Sequence, residues 1–437
     1  MIESFQNHIE TRLSFLKKAK LLLAISGGLD SVVLAHLCYQ LKLNIALVHC
    51  NFNLRGDESD ADEDFVMQFA EKLDLEVFIE SFDTEAYAKT YKLSTQMAAR
   101  ELRYNWFKEL SEQLHFEYVL TAHHADDNLE TFLINLSRGT GLDGLIGIPE
   151  VNDIIVRPLL PFSRQNIEDY AIHHHLKWRE DSSNASTKYL RNKLRHEAIP
   201  VLKNLNPNFL QNFQTTLNNL NDTADMVEES LNAVLKRAVV SMDATEIKLK
   251  VSEFKKLNNP KAYLHEFLKD YGFTEWYNVV NLLEAQSGKQ LFSSSHRLLK
   301  DRDVLILRDI SSDKKQDSIT IENNQWHTAT PIGTLHLSVV DSVLNSHSNS
   351  IYVDKGSLTF PLLIRPWQEG DFFYPLGMQG KKKLSKYFKD EKLSLIDKEN
   401  IWLLCSYEAI VWVISKRADN RFKVNENTKQ ILKIELK

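Results

Sequence analysis

LLLAISGGLDSVVLAH, residues 21–36, joins two apolar runs of different period through Ser-Gly-Gly-Leu-Asp-Ser. The first run, Leu21 to Ile25, is short and continuous, which suits a strand buried on both faces of a parallel sheet. In the second, Val32, Val33, Leu34, Leu37 and Leu41 recur at helical spacing, so the glycines stand where a strand gives way to a helix amino terminus. Gly27 and Gly28 let the backbone turn sharply and approach a ligand, while the unpaired amides of the helix start favour an anion such as phosphate.

The same alternation continues outward from this turn. Strands are expected at 21–26, 44–50, 75–80 and 118–123, with helices at 30–42, 59–73, 94–112 and 126–138. This is the pattern of an α/β fold, Rossmann-like, with a parallel sheet and helices on both faces. Ligands of such sheets bind beyond the carboxyl ends of the strands, so SGG, HCNFNLRGDES (49–59) and AHHADDNLET (122–131) should converge. From 163 to 235 the pattern is helical; 240–310 mixes helices with a hairpin in KQLFSSSHRLLKDRDVLILRD. SSDKKQDS, 311–318, reads as a linker, and the short alternating runs after it predict a small β-rich α+β terminal domain. The expected division is 1–215 for the catalytic α/β domain, 216–310 for a mainly helical recognition domain and 311–437 for the terminal domain.

Composition narrows the class. With 437 residues, 43% of them hydrophobic, the chain has material for two or three cores. Neither a membrane-spanning run nor a signal-like start is present in the sequence, so a cytoplasmic protein is expected. Three cysteines far apart, Cys38, Cys50 and Cys405, predict buried free thiols rather than a disulfide framework or zinc site. The net charge of −6 argues against a uniformly basic surface, but KKKLSKYFKDEK (381–392) and KYLRNKLRHE (188–197) are locally basic, whereas DESDADED (57–64) is intensely acidic.

The loop lacks the Lys-Ser or Lys-Thr of a Walker A motif and is not G-x-G-x-x-G. It resembles the pyrophosphate-binding loop of the N-type ATP pyrophosphatases, which implies that Ser26, Gly27, Gly28, Leu29, Asp30 and Ser31 hold ATP and that Asp30 helps to hold Mg2+. In AHHADDNLET, Asp126 and Asp127 suit a helix start, and Asp127 and Glu130 share a helix face with His123 coming from the strand end. That acidic pocket can take magnesium or an amine. Arg100 and Arg103 stand three apart on a helix and can reach phosphates or substrate, or else pair with Glu101 or Glu109. Lys188, Arg191 and Arg195 form a stripe suited to a phosphate backbone. The run His173-His174-His175 reads as a polar helix end, since three adjacent histidines cannot face one metal.

Beyond the first loop, AARELRY, LSRGTGLDGLIGI, RPLLPFSR, EDSSN followed by RNKLRHE, and the distant GDFFYPLGMQGKKKLSKYF occur in an order that resembles the tRNA(Ile)-lysidine synthetase family. Phe52 and Asn53 depart from the family pattern, which often has His and Gly there, and residues 206–310 carry little of the resemblance. The resemblance implies ligation of free L-lysine to carbon 2 of the wobble cytidine of a tRNA(Ile) with a CAU anticodon. ATP would first adenylate the cytidine and release pyrophosphate, and attack by lysine would then release AMP. It implies Asp127 and Glu130 as lysine ligands, and Asp30, His123, Asp127, Arg100 and Arg103 as catalytic candidates. Arg191, Arg195, Arg365, Lys381, Lys382, Lys383 and Lys386 would bind tRNA, with Tyr387 or Phe388 under the lysines or against a base. A homodimer is also suggested. The rival readings are a tRNA thiolase, which would need a pair of catalytic cysteines, and a nucleotide-sensing module without catalysis.

Overall fold

The computed structural model describes residues 1–180, 190–310, 318–344 and 349–437. The basic residue Lys188, most of the EDSSN segment and nearly all of the expected linker lie outside the described residues. The chain divides into two compact units, Met1–Glu228 and Glu229–Lys437.

The first unit opens with α1 (Ile2–Thr11) and then alternates β1 (Leu21–Ala24), α2 (Leu29–Gln40), β2 (Ile45–Asn51), α3 (Asp57–Leu73), β3 (Val77–Ser81), α4 (Thr84–Tyr91), α5 (Thr95–Leu114), β4 (Tyr118–Leu120) and α6 (Ala125–Arg138). Two short strands, β5 (Val151–Asn152) and β6 (Ile155–Val156), precede α7 (Arg164–His173). The sheet order is β3-β2-β1-β4-β6-β5, and all pairings are parallel except β5 with β6. Leu21, Leu22 and Leu23 of β1 are fully buried, and successive residues point to opposite faces. Leu21 and Leu23 join a core with Phe5, Ile9, Leu34 and Leu37, while Leu22 joins Ala46, Phe107 and Val119 on the other face. That two-sided burial explains why the run carries no alternation.

The acidic run 57–64 is the start of α3, where Asp57, Glu58 and Asp60 in the first turn oppose the helix dipole. Ser94 caps α5 by accepting the Met97 amide at 3.2 Å, and the helix stops at His115, in the left-handed region with φ 59°. The long helix α8 (Phe209–Ala238) packs Phe213 and Leu217 against Leu129 of α6 and Ile199 near its start.

In the second unit the expected helices are accompanied by a five-stranded antiparallel sheet, β7 (Val239–Met242), β8 (Glu246–Lys250), β9 (Gln290–Phe292), β10 (His296–Asp301) and β11 (Val304–Asp309), in the order β7-β8-β11-β10-β9. The sequence indicated only its hairpin. Two four-stranded antiparallel sheets follow, with Trp412, Leu404, Ile434 and Leu337 in the core they share. Beside them, a two-stranded ribbon of Phe372–Phe373 and Lys382–Lys383 leads into α9 (Leu384–Asp390). Among the described residues no helix is long and apolar enough to cross a membrane.

Candidate active site

The turn after β1 is held by its own hydroxyls. Ser31 Oγ donates to the Gly28 carbonyl at 2.9 Å and accepts the Ser26 amide at 3.1 Å, while the Ser26 hydroxyl accepts the Gly28 amide at 3.3 Å. Gly27 has φ +82°, and a Cβ there would stand 3.2 Å from the Phe65 ring, so both conformation and space call for glycine. Gly28 is the N-cap of α2, which leaves the amides of the first helical turn facing the mouth of the loop. Asp30 is in that first turn. Its Oδ1 pairs with the guanidinium of Arg164, at the start of α7, and lies 3.8 Å from His124 Nε2.

Arg164 and Arg179 are site residues that sequence reading missed. The Arg179 amide donates to the Gly27 carbonyl at 2.9 Å, and its side chain pairs with Asp62 of α3, which also takes Arg55 at 2.8 Å. The RPLLPFSR segment was a signal for Arg164, but only the fold brings it to Asp30 across 134 residues of sequence.

At the neighbouring strand, α6 begins where the Asp127 carboxylate accepts the His124 amide at 3.1 Å. Burial works to raise Asp126, and the Arg164 amide and Lys203 outweigh it, so this carboxyl is held below its ordinary range. Glu130 is 1% exposed. Arg195 donates to it through Nε at 2.6 Å and Nη2 at 3.1 Å, and Nη2 also meets Asp127 at 3.2 Å. Arg191 adds a contact to Glu130 at 3.5 Å. Arg191 and Arg195, expected to face a phosphate backbone, thus lie on the two carboxylates expected to hold an amine. Burial moves Glu130 upward against the pull of Arg195. His124, a minor feature of the sequence reading, is buried between Asp30, Asp126 and Asp127, at 3.5 to 3.8 Å from each.

His123 faces Thr121, with Nδ1 and the hydroxyl 3.1 Å apart, and burial pulls it down to about 4 against the raising influence of Asp127. A histidine lowered from 6.5 to about 4 binds a proton in the unfolded chain before it does so in the folded one. It costs no stability above pH 6.5 and destabilises the fold progressively as pH falls from there toward 4, by at most about 3 kcal/mol. His123→Gln should therefore flatten the loss of chemical stability between pH 6.5 and 4, measured by urea unfolding beside the parent. An identical slope in both would place the titration elsewhere.

Arg100 and Arg103 do not form the ion pairs open to them in sequence. Their guanidinium groups lie over the rings of Tyr104 and Phe52, at 4.8 and 5.1 Å, and both residues are exposed. Phe52 also stacks on Phe82 at 5.8 Å, so the position that departs from the family pattern is an aromatic contact.

In the second unit, Lys381, Lys383 and Lys386 line a cavity of about 470 Å³ with Met378, Gln379 and Asp390. Lys382 reaches the same wall but pairs with Asp390 at 2.7 Å. Arg365, expected among the phosphate-binding residues, is instead locked in a two-bond pair with Asp371, both bonds 2.8 Å. Its planar fork is already filled by a carboxylate held in register on the next turn. Tyr387 and Phe388 are 3% and 0% exposed, which assigns them to the core and excludes stacking on a base. The aromatic ring available there is Phe372, 43% exposed under Lys381.

The three thiols are free, and burial pushes Cys50 up to about 12 and Cys405 up to about 11. Thiols so far from the thiolate form are poor nucleophiles. Family models match the chain in three places: a PP-loop domain over residues 1–202, a TilS substrate binding domain over 242–310 and a TilS substrate C-terminal domain over 362–436. Similar curated proteins are the tRNA(Ile)-lysidine synthases of Parabacteroides distasonis, 40% identical over 99% of each chain, and of Bacteroides thetaiotaomicron, 37% identical over 97% of each. That of Clostridium tetani is 30% identical over 100% of this chain and 98% of its own. With its phosphate-binding turn, its acidic pocket and relatives matched along their whole length, the chain belongs to the tRNA(Ile)-lysidine synthase family.

Proposed function

We propose that the chain joins free L-lysine to carbon 2 of the wobble cytidine of a tRNA(Ile) with a CAU anticodon, using ATP and passing through an adenylated cytidine, with AMP and pyrophosphate released. One observation carries this reading. The phosphate-binding turn and the pair of half-buried Asp127 and buried Glu130 follow β1 and β4, which are adjacent parallel strands, so an activated carbonyl and a cationic amine can be held side by side.

A cytosine carbonyl is a poor electrophile, and converting its oxygen to a phosphate ester supplies a leaving group. Ser26, Gly27, Gly28, Leu29 and Ser31 would hold the ATP phosphates through hydroxyls and helix-start amides. Both contacts of Asp30 run through Oδ1, which leaves Oδ2 open among the described residues. One carboxylate oxygen beside phosphates suits Mg2+, which keeps most of its waters and when bound neutralises phosphate charge. Asp127 and Glu130 would receive the lysine ammonium in place of Arg195. The incoming amine must lose a proton, and His123, lowered to about 4, is a poor acceptor, so Glu130, whose carboxyl burial moves upward, is the better candidate. Arg100 and Arg103, exposed beside this rim, would steady the RNA or ATP. A single-stranded anticodon base can be splayed into such a pocket. The division of labour would be chemistry in 1–215 and RNA recognition in 216–310 and 311–437.

The test uses purified protein, ATP, magnesium, labelled lysine and an unmodified tRNA(Ile) with a CAU anticodon. Label in the RNA together with pyrophosphate is expected; pyrophosphate without label would change the nucleophile, and neither would overturn the reading. For RNA binding, Lys381, Lys382, Lys383 and Lys386 would contact phosphates, while Arg365 is left to the fold. Replacing Lys381, Lys383 and Lys386 by Ala should weaken tRNA binding and flatten the slope of log affinity against log salt by about three, leaving ATP affinity unchanged. An unaltered slope would remove the patch from the interface.

A further inference from the structure

Around the carboxyl ends of the strands, most cations have an anion. Arg164 has Asp30, Arg179 and Arg55 have Asp62, Lys203 has Asp126, and Arg191 and Arg195 have Glu130. Arg157, the first residue after β6, has none among the described residues, although at 5% exposure it is the most buried of these cations. Its Nη1 donates to the Pro149 carbonyl at 2.7 Å, and its buried Nε has no hydrogen-bond partner. Its neighbours are the Arg100 cation and the His123 imidazole, with the Tyr104 hydroxyl against it. A carbonyl satisfies one N–H but does not neutralise the charge, and a buried, uncompensated guanidinium with an empty donor is costly unless a ligand completes it.

We propose that Arg157 is a binding residue for a phosphoryl oxygen of the substrates, completing with Arg100 an anion site separate from the turn after β1. A planar guanidinium is suited to phosphate, and the proposed reaction brings the phosphates of ATP and of RNA to this rim; the α-carboxylate of lysine is the rival anion, and a loss confined to lysine affinity would overturn the proposal. The inference rests on the proposed lysidine reaction for the identity of those substrates. Position favours RNA. β6 is two strands from β1 in the sheet, about 10 Å at ordinary strand spacing. That places Arg157 toward His123 and the acidic pocket, where the acceptor nucleotide would lie.

The test compares the full-length parent with Arg157→Met, which keeps bulk and removes charge, and Arg157→Lys, which keeps charge without the fork. Binding of the unmodified tRNA(Ile) is measured across a salt series, and binding of ATP separately by calorimetry. Arg157→Met should weaken binding of one phosphate-bearing ligand about ten- to hundredfold, with partial recovery in Arg157→Lys, and unfold in urea at no lower concentration than the parent. Loss on the RNA side, with the salt slope falling by about one, places an RNA phosphate at Arg157; loss on the ATP side places the nucleotide there. Unchanged affinity for both ligands in a folded variant would overturn the proposal, as would a loss of stability matched by Arg157→Lys, since Arg157 would then only tie down the Pro149 loop. Both binding measurements are independent of turnover. A parent that binds both ligands yet forms no lysidine would overturn the functional reading and leave the role of Arg157 decided.

Discussion

Asp30→Ala is expected to lower tRNA-dependent pyrophosphate release at least about a hundredfold, while tRNA affinity stays within a factor of about three. The carboxylate lies in the first turn of α2, next to the amides that would hold the phosphates, and its remaining oxygen is the one suited to magnesium. Its removal strands only Arg164, whose side chain is 43% exposed, so the fold should lose no more than about 1 kcal/mol. Pyrophosphate release and filter binding on one preparation separate these effects. Parallel loss of RNA affinity and of thermal stability would make Asp30 a structural residue.

Glu130→Gln should act on the other half of the reaction. It keeps the shape of a buried side chain and removes the charge that would hold the lysine ammonium, so KM for lysine should rise about ten- to hundredfold, while pyrophosphate exchange without lysine is preserved. The same change takes the carboxylate from the Arg195 fork, both of whose bonds to Glu130 are 3.1 Å or shorter, and should cost about 2 kcal/mol in urea unfolding. Steady-state kinetics at varied lysine gives the first number. A KM that does not move, with stability lost as expected, would reduce Glu130 to an anchor for Arg195 and send the search for the amine site elsewhere.

What the sequence made legible was local. The strand-turn-helix at 21–36 is written in the change of period at Ser26, and each of the four helices expected in the first 140 residues begins and ends within a few residues of its expected place. Chemistry carried by one segment was legible for the same reason: Asp127 and Glu130 share a face because helical spacing requires it. What stayed hidden depends on the tertiary fold. Arg164, Arg179 and Lys203 reach their carboxylates from 77 to 134 residues away, and no periodicity records such a meeting. Arg365 looked free beside a run of lysines because the turn that brings Asp371 back to it leaves only a spacing of six in the sequence. The five-stranded sheet was hidden by short strands flanked by helical patterns, which leave too few residues for a clear alternation.

The pairing of cations and carboxylates around the strand ends also fixes what the protein looks like from a distance. Opposite charges within 4 Å of one another cancel beyond a Debye length, about 8 Å at physiological salt, so the paired groups of the rim radiate little field. An approaching polyanion would feel those pairs little and would meet the rim mainly through Arg100, Arg103 and Arg157, which have no carboxylate partner among the described residues. Among the described residues, Asp390 is the one acid that lines the cavity of Lys381, Lys383 and Lys386, and a carboxylate already bound to Lys382 leaves their potential largely unquenched. On the proposed function, capture at long range and chemistry at short range would be tuned by different substitutions, and an acidic protein of net charge −6 would recruit RNA through the positive window of Lys381, Lys383 and Lys386.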